Sequence, residues 1–246
     1  MTSEGLLTLS GLAFAAGVLL LLNWYTKLRS YQLFGRIVSR IDTALPVVAL
    51  TFDDGPNPPW TEQLLALLER HGVKATFFLL GCRIERHPET ARLIVERGHE
   101  VGNHSYSHGR LVYEWPYLIR REIELTDRLL ANVGARGPVH FRAPNARKLA
   151  VLPYLLARTR RIHVTFDVLP WPGEYQGAQP EAIAAYIMNR ARAGSIIVLH
   201  DGSHVRDRDR ASVIPAAEMV IVGLRARGYH FLTVSDLLNL APNRGG

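Results

Sequence analysis

The sequence predicts an α/β fold built on a parallel sheet, either open or closed into a barrel. Seven short runs rich in β-branched or aromatic residues recur along residues 46–240, and amphipathic segments separate them. This alternation is the signature of repeated strand–helix units, whose strands run parallel. Glycines follow most of the amphipathic segments, as expected where helices end. No low-complexity linker interrupts this region, so a single domain is expected.

The predicted strands cover residues 47–52, 75–79, 99–103, 139–141, 163–166, 195–199 and 229–233. The main predicted helices cover residues 60–71, 88–97, 116–133, 180–193 and 213–227, and a glycine follows each. Ser235 is expected to cap a last short helix that ends at Leu240. Because ligands bind at the carboxyl ends of parallel strands, functional residues are expected directly after the strands.

The first residues differ in composition from the rest. Residues 5–26 carry no charge and are rich in leucine, and Trp24 and Tyr25 at their end suit the aromatic belt of a membrane interface. A cleaved signal peptide would need a basic start and a small-residue cleavage site; a buried core helix is the third interpretation. We expect a transmembrane helix within residues 1–26, a juxtamembrane segment over 27–45, the main domain over 46–240 and a tail over 241–246.

The chain has a net charge of +7 and a pI near 9.8, which suits anionic lipid headgroups or a polyanionic glycan. Its basic residues are scattered and no nucleic-acid module accompanies them, so we expect no nucleic-acid partner. Arginines alternate with aspartates over residues 206–210, as in a solvated loop. The lone Cys82 forms no internal disulfide and is compatible with either side of a membrane.

Two carboxylates, Asp53 and Asp54, follow the first predicted strand. Neighbouring carboxylates repel, so such a pair is tolerated where a cation, a proton or hydrogen bonds relieve the repulsion. Asp-Asp-Gly-Pro is also a common turn sequence, which leaves a structural role open.

Two histidines, His104 and His108, follow the third predicted strand. In one helical turn they would face the same way. Two imidazoles with a carboxylate from elsewhere form a catalytic transition-metal arrangement that leaves one position for water. Taken alone, the pair is equally compatible with surface or capping histidines.

Three further strand ends carry polar residues that a purely structural sheet does not require. Arg142 follows the fourth predicted strand, Asp167 the fifth, and His200 with Asp201 the sixth. Any one of them is explained by an ion pair. Together, however, five of the seven strand ends carry metal-ligating or acid/base groups, which favours an active site at this edge of the sheet.

These residues resemble the motifs of the NodB-type polysaccharide deacetylases, carbohydrate esterase family four. The matching elements are Thr-Phe-Asp-Asp-Gly-Pro at 51–56, His-Ser-x-x-His at 104–108, Arg-x-Pro at 142–144, Asp-x-x-x-Trp at 167–171 and Leu-His-Asp at 199–201. The resemblance implies a distorted (β/α)7 barrel over residues 46–240. It also implies metal-dependent hydrolysis of N-acetyl or similar N-acyl groups from an amino-sugar glycan such as peptidoglycan.

The resemblance further implies a role for each motif residue. A divalent ion, most often zinc but sometimes another transition metal, would be bound by Asp54, His104 and His108. Asp53 would be the general base and His200 the general acid, with Asp167 fixing the tautomer of His200 and Arg142 orienting Asp53. A backbone N–H near Asn145 would stabilise the oxyanion. Trp171 would be either a core residue or a wall of the sugar cleft.

The sequence departs from the family pattern at two of these motifs. Asn145 stands where many members have tyrosine or phenylalanine, which removes an aromatic substrate contact but keeps a backbone donor. Pro170 stands where the family often has an acid before the tryptophan. Both departures affect the expected substrate contacts more than the expected chemistry.

Two alternatives to a glycan deacetylase remain open. One is a deacetylase of a lipid-linked amino sugar at the membrane, and the other is a non-catalytic, glycan-binding relic of the fold. The basic residues after the apolar stretch, Lys27, Arg29, Arg36 and Arg40, would place the domain in the cytoplasm by the positive-inside rule. Polymeric substrates lie outside the cytoplasmic membrane, and we expect a single-pass membrane protein with an outward-facing domain.

Overall fold

A computed structural model describes residues 3–170, 178–203 and 209–240, with side chains from residue 10 onward. The predicted tail, 241–246, lies outside the described residues. The helices are α1 (Ser3–Thr26), α2 (Trp60–Arg70), α3 (Gly81–Arg86), α4 (Pro88–Glu96), α5 (Pro116–Asn132), α6 (Val151–Arg158), α7 (Pro180–Arg190), α8 (Val213–Ala226) and α9 (Val234–Asn239). The strands are β1 (Ile37–Val38), β2 (Val47–Asp53), β3 (Thr76–Leu79), β4 (Glu100–Asn103), β5 (His163–Val164), β6 (Ile196–His200) and β7 (His230–Leu232).

The strands form parallel ladders, which confirms the predicted α/β class. Strand β2 is central and pairs with β3, β6 and β7, while β4 extends the sheet beyond β3. Strands β1 and β5 form a second parallel pair. Single parallel bridges connect the two sheets, joining Asn103 to Phe141, Phe141 to His163 and Val168 to Ile197. The strands therefore surround a common interior. On either side of β5, however, the connection to the main sheet consists only of these isolated bridges.

The core lies between the central strand and the helices that cover it. All seven residues of β2 are buried, as expected for a strand covered on both faces. In α2 the leucine stripe predicted from the sequence is buried and includes Leu64, Leu65, Leu67 and Leu68. Helix α8 buries a second stripe and packs against both α2 and α7. Strand β2, whose last residue is Asp53, is therefore enclosed by its neighbouring strands and the covering helices.

Several elements differ from the sequence prediction. The strand predicted over 139–141 contains a bridge only at Phe141, because Pro138 has no N–H to donate and the chain bends at Pro144. The structure also contains two helices that were not predicted, α3 over Gly81–Arg86, which includes Cys82, and α6 over Val151–Arg158. Burial raises the pKa of the Cys82 thiol, which agrees with an unreactive cysteine.

The predicted juxtamembrane segment, 27–45, is packed onto the domain. Its strand β1 pairs with β5, joining Ile37 to His163 and Val38 to Val164. Upstream of β1, the Oγ1 atom of Thr165 donates a hydrogen bond to the carbonyl of Arg29 at 2.6 Å. The domain therefore extends further toward the N-terminus than residue 46.

The predicted transmembrane helix coincides with α1, which is helical from Ser3 to Thr26. Across the described ranges, no helix combines the length and the apolar character needed to cross a membrane. The spanning helix is therefore not supported by this part of the chain. Apolar side chains of α1 are exposed, among them Leu12, Phe14, Leu19, Leu20, Leu21 and Trp24.

A buried histidine fixes the join between the docked N-terminal segment and β5. The His163 Nδ1 atom lies 2.9 Å from Oε1 of Gln32, and its Nε2 atom lies 3.4 Å from the Ala143 amide nitrogen. A neutral ring that donates from Nδ1 and accepts at Nε2 satisfies both contacts. Burial lowers the pKa of His163 from 6.5 to about 3. The histidine is therefore neutral in the folded protein across the physiological range.

We expect this histidine to make the protein sensitive to acid. Because the pKa is lower in the folded than in the unfolded state, the contribution of His163 to stability is fully present above pH 6.5 and is lost as the pH falls toward 3. Urea unfolding between about pH 7 and pH 5 should show a shallower decline in the free energy of unfolding for His163→Asn than for the wild type. The exposed control His230→Asn should follow the wild-type curve, and parallel curves for wild type and His163→Asn would contradict the assignment.

Candidate active site

The register of the sheet brings the predicted site residues to one edge. Asp53 is paired with His200 on β6 and with Phe78 on β3. One strand further, Leu79 is paired with Asn103, the residue before His104. Because these strands are parallel, their carboxyl ends meet at this edge, as the sequence predicted.

Asp54 and the two histidines converge at the edge of the sheet. The Asp54 Oδ1 atom lies 3.4 Å from Nε2 of His104 and 3.4 Å from Nε2 of His108. One potential ligand atom from each residue lies within 4.8 Å of the others. All three side chains are buried or nearly so. The structure therefore forms the cluster predicted from the motifs.

The donor set and its spacing fit a divalent metal ion. Tetrahedral bonds of about 2.0–2.1 Å place neighbouring ligand atoms about 3.3 Å apart, close to the two observed distances. The Nδ1 atom of His104 lies 2.8 Å from the carbonyl oxygen of Arg142. A proton on Nδ1 donates to this carbonyl and leaves the Nε2 lone pair directed at Asp54. The residues present can thus hold an ion without rearrangement of this ring.

The loop that carries the histidines is held by groups that the sequence reasoning missed. Ser105 and His108 have φ angles of 69° and 60°, a region that non-glycine residues rarely adopt. The Glu122 carboxylate on α5 accepts hydrogen bonds from the amides of Tyr106 and Ser107 at 2.9 and 2.8 Å. The Ser105 amide in turn donates a hydrogen bond to Oδ1 of Asn103 at 2.8 Å. No sequence motif indicates Glu122, because its partners lie in a distant loop.

Arg142 lies beneath the carboxylate pair and is fully buried. Its Nη1 donates to Asp53 Oδ1 at 2.6 Å and to Thr51 Oγ1 at 2.8 Å. Its other nitrogens donate to the carbonyls of Val164 and Thr165. Burial lowers the pKa of Arg142, and the negative charge of Asp53 opposes this shift. The structure therefore places Arg142 where it can orient Asp53, as the resemblance implied.

Asp201 is a third buried carboxylate near the pair, and the sequence reasoning gave it no role. Its Oδ2 accepts a 2.5 Å bond from Thr61, while no hydrogen-bond partner for Oδ1 is present among the described residues. Burial raises its pKa to about 7, with the charge of Asp54 adding to the shift. A Cβ on Gly55 would lie 2.4 Å from Asp201 Oδ2, so only glycine fits this position. The sequence signal that could have indicated Asp201 was its position next to His200 in the Leu-His-Asp motif.

The structure does not bring Asp167 to His200, which corrects the predicted tautomer-fixing role. The Asp167 carboxylate accepts bonds from Ser195 Oγ and from the Ile196 amide, both at 2.9 Å, at the start of β6. His200 is at the other end of the same strand, about 13 Å away at 3.3 Å per residue. Both carboxylate oxygens of Asp167 are thus used to anchor the amino end of β6. Burial raises the pKa of Asp167.

A cleft of about 500 Å³ opens over the cluster. Asp53, His104, His108, Asn145 and His200 line it, together with Lys27, Arg29, Ala143, Ala146, Arg147, Phe166 and Leu169. Asn145 is exposed and has a φ of 56°. Trp171 lies outside the described residues. The cleft has the size of a small-ligand site, and two of the three potential metal ligands, His104 and His108, line it.

Comparison with known proteins agrees with this geometry. Residues 40–159 match the family model for polysaccharide deacetylases. A chitooligosaccharide deacetylase of Sinorhizobium fredii is 33% identical over 205 residues, which cover 79% of this chain and 93% of the relative. A peptidoglycan-N-acetylglucosamine deacetylase of Bacillus cereus is 29% identical over 197 residues, 78% of this chain and 88% of the relative.

A solved structure is similar to this chain in fold as well. The crystal structure of a peptidoglycan N-acetylglucosamine deacetylase superposes with a TM-score of 0.75 at 28% identity, covering 81% of this chain and 91% of that chain. The similarity in fold thus extends over most of both chains, and the family match over residues 40–159 includes the clustered carboxylates and histidines. The chain is a member of the polysaccharide deacetylase family.

Proposed function

We propose that this protein removes N-acetyl groups from an amino-sugar glycan, such as peptidoglycan or a chitin-like oligosaccharide, by metal-dependent hydrolysis. The observation that carries the proposal is the convergence of Asp54, His104 and His108 directly beside Asp53. The names of the relatives, which act on peptidoglycan and chitooligosaccharides, support the substrate class.

Zinc is the ion we propose for the cluster, because two imidazoles and one carboxylate are a ligand set of catalytic zinc sites. When bound, such an ion polarises the acyl oxygen and lowers the pKa of a coordinated water. Among the described residues the cluster offers three protein ligands, and its two histidines line the cleft. A structural zinc site would instead have four protein ligands.

Asp53 is the proposed general base. Its Oδ1 is held by Arg142 at 2.6 Å, while its Oδ2 lies 3.8 Å from Nε2 of His104 and faces the cluster. One oxygen is therefore fixed by the arginine and the other is directed to where an attacking water would lie.

His200 is the proposed general acid. It lies in the cleft, in register with Asp53 on the neighbouring strand, and can deliver a proton to the departing sugar amine. Asp167 does not assist it, since its carboxylate is bound at the start of β6. The backbone N–H near Asn145 at the cleft wall is the proposed oxyanion donor.

The two alternatives make different predictions. A non-catalytic relic would bind glycans but release no acetate, although this chain has kept the base, the acid and the metal ligands. A deacetylase of a lipid-linked amino sugar would act on that substrate and leave soluble oligosaccharides intact. Measuring acetate released from chitotetraose, peptidoglycan strands and a polyprenyl-linked N-acetylamino sugar separates the three proposals.

We expect Asp53→Asn to retain zinc and to lower turnover about 10²–10⁴-fold, the usual effect of removing a general base. The amide oxygen can still accept the bond from Arg142, but the amide cannot accept a proton from water. Acetate release and zinc content, measured on the same preparation, provide the test.

A matched control for this variant is Asp42→Asn, which changes a carboxylate whose side chain is 90% exposed. It should have wild-type turnover. Wild-type turnover in Asp53→Asn with zinc retained would assign the base to another residue, whereas loss of zinc would assign Asp53 to the ligand set.

We further propose that the protein is attached to the cytoplasmic membrane through α1, with the cleft facing outward. The support for attachment is the exposed apolar surface of α1, which includes Leu19, Leu20, Leu21 and Trp24. Such a surface is unfavourable in water and favourable in lipid. The outward orientation is supported by the substrate class, since assembled glycan polymers lie outside this membrane.

Protease treatment of intact spheroplasts tests the orientation. Because the cleft is proposed to face outward, we expect an added protease to digest the domain without lysis, while a cytoplasmic marker protein stays intact. A domain that is protected until the membrane is lysed would place the cleft inside and would make a lipid-linked amino sugar the leading substrate.

A further inference from the structure

The chain directly after α1 is fixed along the side of the cleft. Residues 27–36, here called the docked segment, contact the domain at several points. The Nζ atom of Lys148 donates to the Leu28 carbonyl, and Thr165 Oγ1 donates to the Arg29 carbonyl. The His163 amide donates to the Arg36 carbonyl at 3.0 Å.

The contact through Lys148 shows how closely the docked segment is packed. Lys148 has no exposed surface, and burial lowers its pKa from 10.5 to about 8. Burial of an ammonium group is unfavourable without hydrogen-bond acceptors, and the segment supplies one at Leu28. The docked segment is therefore part of the folded domain.

This docking places two cationic side chains, Lys27 and Arg29, at the wall of the cleft that contains Asp53. A third, Arg147, reaches the cleft from the turn after Pro144. The Arg29 guanidinium carbon lies 4.6 Å from the centre of the Phe166 ring, a cation–π contact that restricts its position.

Among the described residues, no acidic side chain balances the positive charge of this wall. Asp53 is the only acidic residue lining the cleft among those described, and it is already paired with Arg142. Within the described ranges, Lys27, Arg29 and Arg147 form no ion pair with a carboxylate. A neutral acetylated sugar has no group that would use these charges, whereas an anionic ligand would be attracted and oriented by them.

We propose that the substrate is an N-acetylated amino sugar that carries an anionic group, a carboxylate or a phosphate, bound by Lys27, Arg29 and Arg147. The proposal rests on the proposed deacetylase function and specifies its substrate class. Two chemical sources supply such a group: a sugar acid within a glycan, such as N-acetylmuramic acid, and the phosphate of a polyprenyl-linked amino sugar. In both cases the cationic wall binds the anion while the acetamido group lies at the cluster.

The test compares anionic and neutral probes on the full-length protein in detergent. The anionic probes are a tetrasaccharide of alternating N-acetylglucosamine and N-acetylmuramic acid and a polyprenyl-phosphate-linked N-acetylglucosamine. The neutral probes are the methyl ester of the same tetrasaccharide and chitotetraose. Turnover is measured on zinc-loaded protein, and the Kd of each tetrasaccharide is measured by calorimetry on metal-free protein.

The variants are Lys27→Gln with Arg29→Gln, and separately Arg147→Gln, so that two different segments are tested. The control is Arg225→Gln, which removes an exposed cation on α8 outside the cleft. Circular dichroism melting verifies that each variant is folded. The double variant Lys27→Arg with Arg29→Lys keeps both positive charges and should bind the anionic probe as the wild type does.

For the double glutamine variant we expect the KM and Kd of an anionic probe to rise about tenfold with kcat unchanged, as expected for two partly exposed charge pairs. For the neutral probes, the KM and Kd of this variant should stay within about twofold of the wild-type values. Added salt should weaken wild-type binding of the anionic probe more than that of its ester. If the tetrasaccharide shows these effects, the anionic group is a sugar carboxylate. If the polyprenyl-linked sugar shows them, it is a phosphate.

The proposal would be overturned if the double glutamine variant raised KM and Kd equally for anionic and neutral probes. It would also be overturned if Arg225→Gln raised them for an anionic probe as much as the double variant does. Acetate release from neutral probes without any preference for charge would overturn it and leave the deacetylase function standing. Charge-dependent binding without acetate release from any probe would support the anionic site and contradict the deacetylase function.

Discussion

Burial of two adjacent carboxylates, Asp53 and Asp54, is the constraint on which the rest of the site depends. They are 3% and 1% exposed, and two like charges so far from water are unfavourable unless positive charge or hydrogen bonds surround them. The fold provides a different solution for each. Asp53 has a buried guanidinium on one oxygen, and Asp54 faces two imidazoles. Asp201 adds a third carboxyl nearby, and burial raises its pKa to about 7.

Arg142 connects this electrostatic requirement to the architecture. Its guanidinium joins β2, through Thr51 and Asp53, to the β5 region, through the carbonyls of Val164 and Thr165. Its own carbonyl accepts from the ring of His104. The strands in this part of the ring are joined only by isolated bridges, so a fully buried side chain makes connections that ladders make elsewhere. Arg142 thus contacts Asp53, the ring of His104 and the backbone of the β5 region at the same time.

The sequence predicted those features that follow from periodicity and from the ends of parallel strands. Asp53, Asp54, His104, His108, Arg142 and His200 meet at one edge because each lies at or just beyond the carboxyl end of a parallel strand or, for Arg142, of an isolated parallel bridge. It failed for contacts that depend on tertiary partners. Asp167 also follows a strand, but the Ser195 hydroxyl and the Ile196 amide bind its carboxylate instead of His200. The docked segment has no motif of its own, so its position at the cleft could not be read from residues 27–36.

The claim that the fold assembles one metal site from these residues is tested most directly by X-ray absorption at the zinc edge of zinc-loaded protein. The structure predicts one ion per chain, bound by two imidazole nitrogens and carboxylate oxygen at about 2.0–2.2 Å. The same spectrum is expected for Asp53→Asn, and zinc should be lost from Asp54→Ala. Equal zinc binding by Asp54→Ala and the wild type, or a sulfur ligand from Cys82, would contradict the account.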